Sequence, residues 1–179
     1  MKIVEIECLV LDETYPFVIV RTDEGITGYG ETFRRGPYVQ KSAIDTIFSP
    51  LVIGEDPFDT NGIWNTMFSA GGVAGPAGAL QTAAAAIDIA LWDIKGKALS
   101  VPIHKLIGGK IRDSVRMYAS SLRRDLTAVE EARRAADFQE QGYTAYKMHS
   151  AVPGGIDDPA DRTIEHVREM RSACGDDFE

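Results

Sequence analysis

The segment ALQTAAAAIDIALWDIKGKAL, residues 79–99, decides how the first half of this chain is expected to fold. It is rich in alanine and apolar on almost every side as far as Trp92, which predicts a helix buried over most of its surface. Asp93 and Lys97 stand four residues apart and can pair near its exposed end. The stretch SVPIHKLIGG, residues 100–109, then supplies the signals that end the helix.

Extended runs and shorter helices precede this segment. Three runs of β-branched or aromatic residues separated by turn residues predict a small antiparallel meander. The glycines of GITGYGE, residues 25–31, lie between two of these runs, which indicates a hairpin rather than a dinucleotide-binding loop. The predicted strands are Lys2 to Leu11, Pro16 to Arg21 and Gly28 to Phe33, and the predicted helices are Pro37 to Phe48 and Phe58 to Ala70.

The pattern changes after GGKIRD, residues 108–113. Extended runs at residues 114–121 and 144–150 alternate with helical runs from Leu126 to Gln141 and from Asp158 to Cys174, a rhythm typical of βα units in a parallel sheet. The last five residues, GDDFE, are expected to turn into a third strand. Two strands and this start leave sheet edges uncovered, so we expect the beginning of a larger structure. The predicted domains are residues 1–111 and 112–179.

The run TAYKMHS, residues 144–150, places two basic side chains on one face of a predicted strand. Successive side chains point to opposite faces, so Lys147 and His149 share one face while Tyr146 and Met148 share the other. If the second pair packs under helices, the first projects inward at the carboxyl end of the strand, where parallel βα arrays carry active sites. Either basic group can accept a proton there. The alternative is a strand end at which both side chains simply reach solvent.

Other residues are weaker candidates. Arg34, in ETFRRGPY, can offer a bidentate fork to a substrate carboxylate or remain a solvated loop charge, and Tyr15 in the turn DETYP is a similar candidate. His104 is interpreted as a packing or capping residue, and His166 on an amphipathic helix as a surface residue. The glycine-rich AGGVAGPAGA, residues 70–79, lacks the lysine of a phosphate loop and follows a helix, so a structural loop is expected.

Composition and charge narrow the function class. The 179 residues are 44% hydrophobic and 26% charged, typical of a globular protein with a core. A net charge of -8 argues against nucleic acid or an anionic membrane as partner, because phosphate contacts need a basic surface. No window approaches a membrane span, and acids replace the apolar part of a signal peptide. We expect a cytoplasmic protein with a small-molecule or protein partner. Cys8 and Cys174 lack metal or redox spacing and are interpreted as reduced thiols.

A family resemblance joins these motifs. The succession of GITGYGE, then AAAAIDIALWDIKGKALSVPIHKLIGG, then a strand like VRMYAS and a second strand ending in Lys-x-basic resembles the mandelate racemase and muconate lactonizing branch of the enolase superfamily. The resemblance extends over essentially the whole chain, and the alanine-rich helix is its most specific part. It implies an α+β capping domain followed by the start of an α/β (β/α)-barrel, here truncated after about two βα units.

The resemblance also implies chemistry. In this branch the second barrel strand commonly carries Lys-x-Lys, the first lysine assisting at the substrate carboxylate and the second acting as base. Lys147 matches the first position, whereas His149 departs from the second, and an imidazole has a shorter reach than a lysine side chain. Either residue can therefore be the base. Tyr15 and Arg34 are expected as capping-loop contacts to substrate, and the family implies a homo-oligomer.

The resemblance further implies Mg²⁺, with carboxylate ligands at the ends of the third, fourth and fifth barrel strands. The chain ends at Glu179 where the third strand would start, so we expect no metal ligand in this chain and all of them beyond Glu179. Five aspartates in loops or at helix ends are interpreted as caps or solvated charges rather than ligands. They are Asp157, Asp158, Asp161, Asp176 and Asp177.

Two hypotheses for function remain at this point. The first is an Mg²⁺-dependent enzyme that removes the proton α to the carboxylate of a hydroxy acid or sugar acid through an ene-diolate. Dehydration of a sugar acid is preferred, and racemisation, epimerisation or cycloisomerisation are the alternatives within the superfamily. The second hypothesis is a non-catalytic binding or assembly module, because the metal ligands are absent from this chain.

Overall fold

A computed structural model describes residues 1–72, 77–150 and 160–179 of the chain. The chain divides into two units, Met1–Ile111 and Arg112–Glu179. None of the helices in the described ranges is long and apolar enough to cross a membrane. Most of the predicted loop at residues 70–79 and the predicted start of the last helix at Asp158 lie outside the described residues.

The sheet of the first unit consists of β1 (Ile3–Leu11), β2 (Tyr15–Thr22) and β3 (Thr27–Glu31), in that spatial order. Both pairings are antiparallel. In β2, buried and partly exposed residues alternate, because one face of the sheet packs on helices and the other does not. Gly25, with φ of 81°, lies in the turn that joins β2 to β3. The hairpin predicted from GITGYGE is therefore confirmed.

Helices cover one face of this sheet. The predicted helix from Pro37 continues to Phe48, although its second half is a π-helical turn, Ile44–Phe48. The α-helices are α1 (Pro37–Ala43), α2 (Ser49–Val52), α3 (Thr60–Ala70), α4 (Ala79–Leu99) and α5 (Ile103–Leu106). The core between sheet and helices combines aliphatic residues of β1 and β2 with the alanine-rich face of α4 and with residues of the shorter helices. It includes Ile3, Val18, Val20, Ile44, Phe48, Val52, Ile63, Met67, Ala83, Ala86, Ile87, Ala90 and Leu91.

Helix α4 lies directly against two glycines of β3. A Cβ atom built on Gly30 would collide with the carbonyl oxygen of Ala86 and lie 2.9 Å from its carbonyl carbon. A Cβ atom on Gly28 would collide in the same way with the carbonyl of Ala90. Because helix backbone cannot move aside as a flexible side chain can, only glycine fits at these positions. The close packing of β3 on α4 therefore depends on small residues on both sides.

Polar side chains of α4 cover the free edge of β3. Asp93 Oδ2 accepts the Tyr29 backbone N–H at 2.9 Å and the Lys97 ammonium at 2.6 Å. Lys97 Nζ also donates to the Thr27 carbonyl oxygen at 2.7 Å and lies 4.5 Å from the centre of the Tyr29 ring. The predicted Asp93–Lys97 pair is confirmed. It also satisfies backbone groups that an edge strand would otherwise leave exposed to another strand.

The second unit contains two βα units. They consist of β4 (Ala119–Ser120), α6 (Ala128–Glu140), β5 (Tyr146–Lys147) and α7 (Ala160–Cys174). Strands β4 and β5 are parallel, as predicted, although the regular pairing is shorter than the extended runs in the sequence. Tyr146 N–H donates to the Glu179 carbonyl at 2.8 Å, and Glu179 N–H donates to the Thr144 carbonyl at 3.1 Å. The predicted turn towards a third strand is therefore confirmed.

We predict that Gly30→Ala strongly destabilises the first unit. The added methyl group meets helix backbone, so β3 and α4 must separate, at a cost of about 3 kcal/mol or more. Thermal unfolding followed by circular dichroism should show a melting temperature lower by about 10 °C. Glu31→Ala is the matched control, because Glu31 is exposed on the same strand and should change stability by less than about 0.5 kcal/mol. An unchanged melting temperature for Gly30→Ala would contradict the close packing.

We also predict a pH-dependent gain in stability for Asp88→Asn. Burial raises the pKa of the Asp88 carboxyl above its usual value, and the nearby Lys95 opposes this rise. The folded state therefore holds this proton more tightly than the unfolded state, and the carboxyl destabilises the fold once the pH has risen through the raised pKa. Chemical unfolding at pH 7 should show the variant more stable by about 0.5 kcal/mol. The difference should vanish near pH 3, and an equal difference at both pH values would contradict the assignment.

Candidate active site

The two faces of β5 have different surroundings. The Tyr146 hydroxyl donates to Glu131 Oε1 on α6 at 2.7 Å, and Met148 lines a small cavity together with Val167 and Met170 of α7. These contacts place the Tyr146 and Met148 side chains under the helices. Lys147, which alternates with them, is exposed. The lysine therefore lies on the face of the strand opposite to the helices.

His149 follows β5 and is fixed by one ring nitrogen. Its Nδ1 lies 2.7 Å from the carbonyl oxygen of Ser121, which can only accept a hydrogen bond. Nδ1 must therefore carry a proton and donate it to this bond. In the neutral ring the lone pair then lies on Nε2, so Nε2 is the basic atom of the half-buried imidazole.

Ser121, the residue directly after β4, connects the two basic residues. Its backbone N–H donates to the Lys147 carbonyl at 2.9 Å, and its own carbonyl accepts the His149 hydrogen bond. Ser121 is completely buried, and its Oγ accepts the backbone N–H of Arg123 at 3.2 Å. Ser121, at the carboxyl end of β4, therefore bonds the Lys147 backbone and the His149 ring at the carboxyl end of the neighbouring parallel strand β5.

The loop between β4 and α6 is held at both ends. Thr127 and Glu130 form a capping box that starts α6, as the sequence DLTAVEE leads one to expect. A hydrogen bond from the Arg123 guanidinium lowers the pKa of the Asp125 carboxyl well below its usual range. Arg162 of α7 donates to the carbonyl oxygens of Arg124 and Leu126, each at 3.0 Å. The strand end that carries Ser121 is therefore well supported.

Tyr15 and Arg34 belong to the first unit. Tyr15 begins β2 and is 40% exposed, and Arg34 is exposed in the segment between β3 and α1. A hydrogen bond of 3.1 Å from Thr32 N–H to the Pro16 carbonyl joins the end of β3 to the start of β2. Both candidates therefore lie at the same end of the sheet. Their role as substrate contacts stays a prediction.

Two histidine assignments differ from the structure. His104, interpreted as a packing or capping residue, is exposed on α5. His166 was expected at the surface, but it is only 2% exposed, and its Nδ1 lies 2.7 Å from the Arg162 carbonyl one helical turn earlier. The prediction relied on the charged neighbours Glu165 and Arg168. The spacing of four residues between His166 and Met170 instead puts these two side chains on one face of the helix. His166 is thus a packed helix residue rather than a surface group.

Glu131 is a buried acid that the sequence analysis missed. It is 2% exposed and lies on the same face of α6 as the buried Ala128, Ala132 and Ala135. Position 131 has the helical spacing of these alanines, so the periodicity of the sequence could have predicted that Glu131 is buried. Glu131 was overlooked because the acids of DLTAVEE were interpreted together as the signal for the start of the helix, a role that Glu130 fills in the capping box.

The described residues do not fit a metal site. Within residues 1–72, 77–150 and 160–179, no three or more His, Cys, Asp or Glu side chains are grouped so that they could hold a metal ion. Asp157 and Asp158 lie outside the described residues, as does the side chain of Asp161. Lys147 and His149 are accordingly assigned no metal-binding role.

Comparison with known proteins identifies the family. Residues 9–108 match the model of the mandelate racemase / muconate lactonizing enzyme N-terminal domain. The whole chain aligns at 37% identity with 47% of a D-galactonate dehydratase from Ralstonia pickettii (strain 12J). It therefore spans about half the length of this relative.

Solved structures agree with this match. The 3,6-anhydro-D-galactonate cycloisomerase from Zobellia galactanivorans superposes with a TM-score of 0.87 at 30% identity, covering 100% of this chain and 50% of that one. A member of the enolase superfamily from Polaromonas sp. JS666 gives 0.84 at 31% identity, covering 99% and 50%. The predicted fold class, a capping domain followed by the start of a barrel, is confirmed. The chain belongs to the mandelate racemase and muconate lactonizing enzyme family, as the N-terminal portion of an enolase-superfamily protein.

Proposed function

We propose that the full-length protein is a sugar-acid dehydratase that removes the proton α to the substrate carboxylate. Support comes from the D-galactonate dehydratases of Ralstonia pickettii (strain 12J) and Verminephrobacter eiseniae (strain EF01-2), which align with the complete chain at 37% and 34% identity. The substrate class is a hexonate such as D-galactonate. We further propose a homo-oligomer that works in the cytoplasm.

The proposed reaction sets clear chemical requirements. A base takes the proton from the α carbon, and the electron pair of the broken C–H bond moves into the carboxylate to give an ene-diolate. The ene-diolate then forms a double bond to the β carbon, whose hydroxyl takes up a proton and leaves as water. The resulting enol tautomerises to a 2-keto-3-deoxy acid. The site therefore needs a base near the α carbon and positive charge near the carboxylate.

Lys147 and His149 are suited to these two roles. The proposal rests chiefly on the hydrogen bond of 2.7 Å from His149 Nδ1 to Ser121, which leaves Nε2 as the proton-accepting atom. We assign the base to His149 Nε2 and the stabilisation of the carboxylate to the Lys147 ammonium. Tyr15 and Arg34 are proposed as substrate contacts from the capping domain. Mg²⁺, the cofactor expected for this superfamily, would stabilise negative charge on the carboxylate, with ligands outside the described residues.

A second candidate is cycloisomerisation. The observation that favours it is the structural likeness to the 3,6-anhydro-D-galactonate cycloisomerase, which has a TM-score of 0.87. Both reactions begin with removal of an α proton, and they differ in the bond that breaks next. Product analysis by NMR and mass spectrometry on a panel of sugar acids and anhydro sugar acids separates them, because dehydration gives a product lighter than its substrate by one water, whereas cycloisomerisation gives a product of the same mass. Isomerisation of every accepted substrate would overturn the preference for a dehydratase.

We predict that His149→Ala and Lys147→Ala each lower kcat of the full-length protein by about 100-fold or more, because each removes a group that acts in proton transfer or charge stabilisation. Steady-state assays on the best sugar acid of the panel measure this effect. His104→Ala and Lys105→Ala are matched controls, since both residues are exposed in the first unit and should leave kcat within about twofold. Full activity of the His149 and Lys147 variants would mean that these side chains only reach solvent.

We predict that a chelator abolishes turnover of the full-length protein and that added Mg²⁺ restores it. In a calorimetric titration, the 179-residue chain alone should show no tight stoichiometric binding of Mg²⁺. Turnover that resists exhaustive chelation would contradict the proposed cofactor. Tight stoichiometric binding by the chain alone would contradict the expectation that the ligands lie elsewhere.

A further inference from the structure

A buried polar cluster lies between α6 and the two parallel strands of the second unit. It consists of Glu131 and Arg134 on α6, Ser121 after β4 and Tyr146 on β5. Glu131 is 2% exposed and Ser121 is fully buried. The cluster lies on the helix side of β5, whereas the exposed Lys147 belongs to the opposite face.

Tyr146 is the centre of this cluster. Its hydroxyl donates to Glu131 Oε1 at 2.7 Å. Burial raises the pKa of this hydroxyl. The pairing of Ala119 with Tyr146 and the alternation of side chains along β4 place the fully buried Ser121 on the same face of the sheet as Tyr146. The hydroxyl therefore joins α6 to β5, on the side of the sheet where Ser121 is buried.

The cluster is poorly explained by stability alone. Glu131 Oε2 and Arg134 Nε are buried and have no hydrogen-bond partner among the described residues. A buried carboxylate that is incompletely paired is costly, and a well-packed apolar group of the same volume is often neutral or stabilising in its place. Conversely, a buried hydrogen-bonded network restricts the groups that it holds to one arrangement.

The cluster is connected to the candidate site through Ser121. By alternation the Ser121 side chain lies on the same side of the sheet as Tyr146, while its backbone N–H donates to the Lys147 carbonyl and its own carbonyl accepts from the His149 ring. Tyr146 is also the direct neighbour of Lys147 in β5. Any rotation of the Ser121 peptide plane would thus lengthen the hydrogen bond that fixes the His149 imidazole.

We propose that Glu131, Tyr146 and Ser121 form a positioning network that holds the His149 imidazole in its Nδ1–H tautomer with Nε2 directed towards the substrate. These residues act through His149 and touch no substrate themselves. The catalytic consequence rests on the proposed function, whereas the effect on the imidazole does not. The network matters because a misplacement of about 1 Å in a reacting group can lower a rate about 100-fold.

The first experiment measures the imidazole directly. Nitrogen-15 NMR of the full-length protein with labelled histidine reports which ring nitrogen of His149 carries the proton. We expect a predominant Nδ1–H tautomer in the wild type and a mixture of tautomers in Tyr146→Phe and Glu131→Leu. Tyr143→Phe is the matched control, because the Tyr143 and Tyr146 rings both pack on Phe138, at 5.6 and 5.8 Å, and its spectrum should be unchanged. An unchanged His149 tautomer in both network variants would overturn the proposal.

The second experiment separates positioning from a purely structural role. In the full-length protein, Glu131→Leu should lower kcat by about 10-fold or more with KM within about twofold and an unchanged melting temperature. Glu131→Gln keeps an acceptor for the Tyr146 hydroxyl and should restore most of kcat. A loss of stability in Glu131→Leu with unaltered kcat would overturn the proposal. If the wild type accepts no sugar acid, the proposed function fails, while the NMR result still decides for or against the network.

Discussion

The contact between β3 and α4 is the constraint on which the first unit depends. Helix backbone at Ala86 and Ala90 lies where side chains of residues 30 and 28 would otherwise stand. A strand with glycines alone on its inner face gains little from burial of its own side chains. Its attachment therefore relies on the pairing with β2 and on the Asp93 and Lys97 side chains, which bond its outer edge. The small residues and the edge hydrogen bonds together explain why the GITGYGE motif of β3 packs directly on the alanine-rich helix α4.

The second unit uses a comparable arrangement for a different purpose. Ser121 lies at the end of β4 with no exposed surface, and its main chain bonds the residues on either side of Met148 in the neighbouring strand. Neighbouring side chains of β5 point to opposite faces of the sheet. The Tyr146 hydroxyl bonds the buried Glu131, whereas Lys147 is exposed to solvent. One strand thus separates a face that is buried under the helices from a face on which Lys147 is exposed.

The sequence was most informative where periodicity is strong. The alternation in residues 144–150 correctly separated the Lys147 face from the Tyr146 face, and the alanine-rich segment correctly predicted a long, largely buried helix in α4. Glu131 and His166 were missed because a charged neighbour hides a buried position that only helical spacing reveals. The bond between His149 and Ser121 spans 28 residues and arises from strand pairing, so no local pattern contains it.

The central claim is that the chemistry begins with removal of the proton α to a carboxylate by a base at the end of β5. Its most direct test is the rate of the full-length protein on a sugar acid that carries deuterium at the α carbon. If breakage of this bond limits the chemical step, kcat/KM falls by a primary isotope effect, which is the result that the account predicts. Equal kcat/KM values for the protiated and deuterated acids, with the deuterium retained in the product, would contradict it.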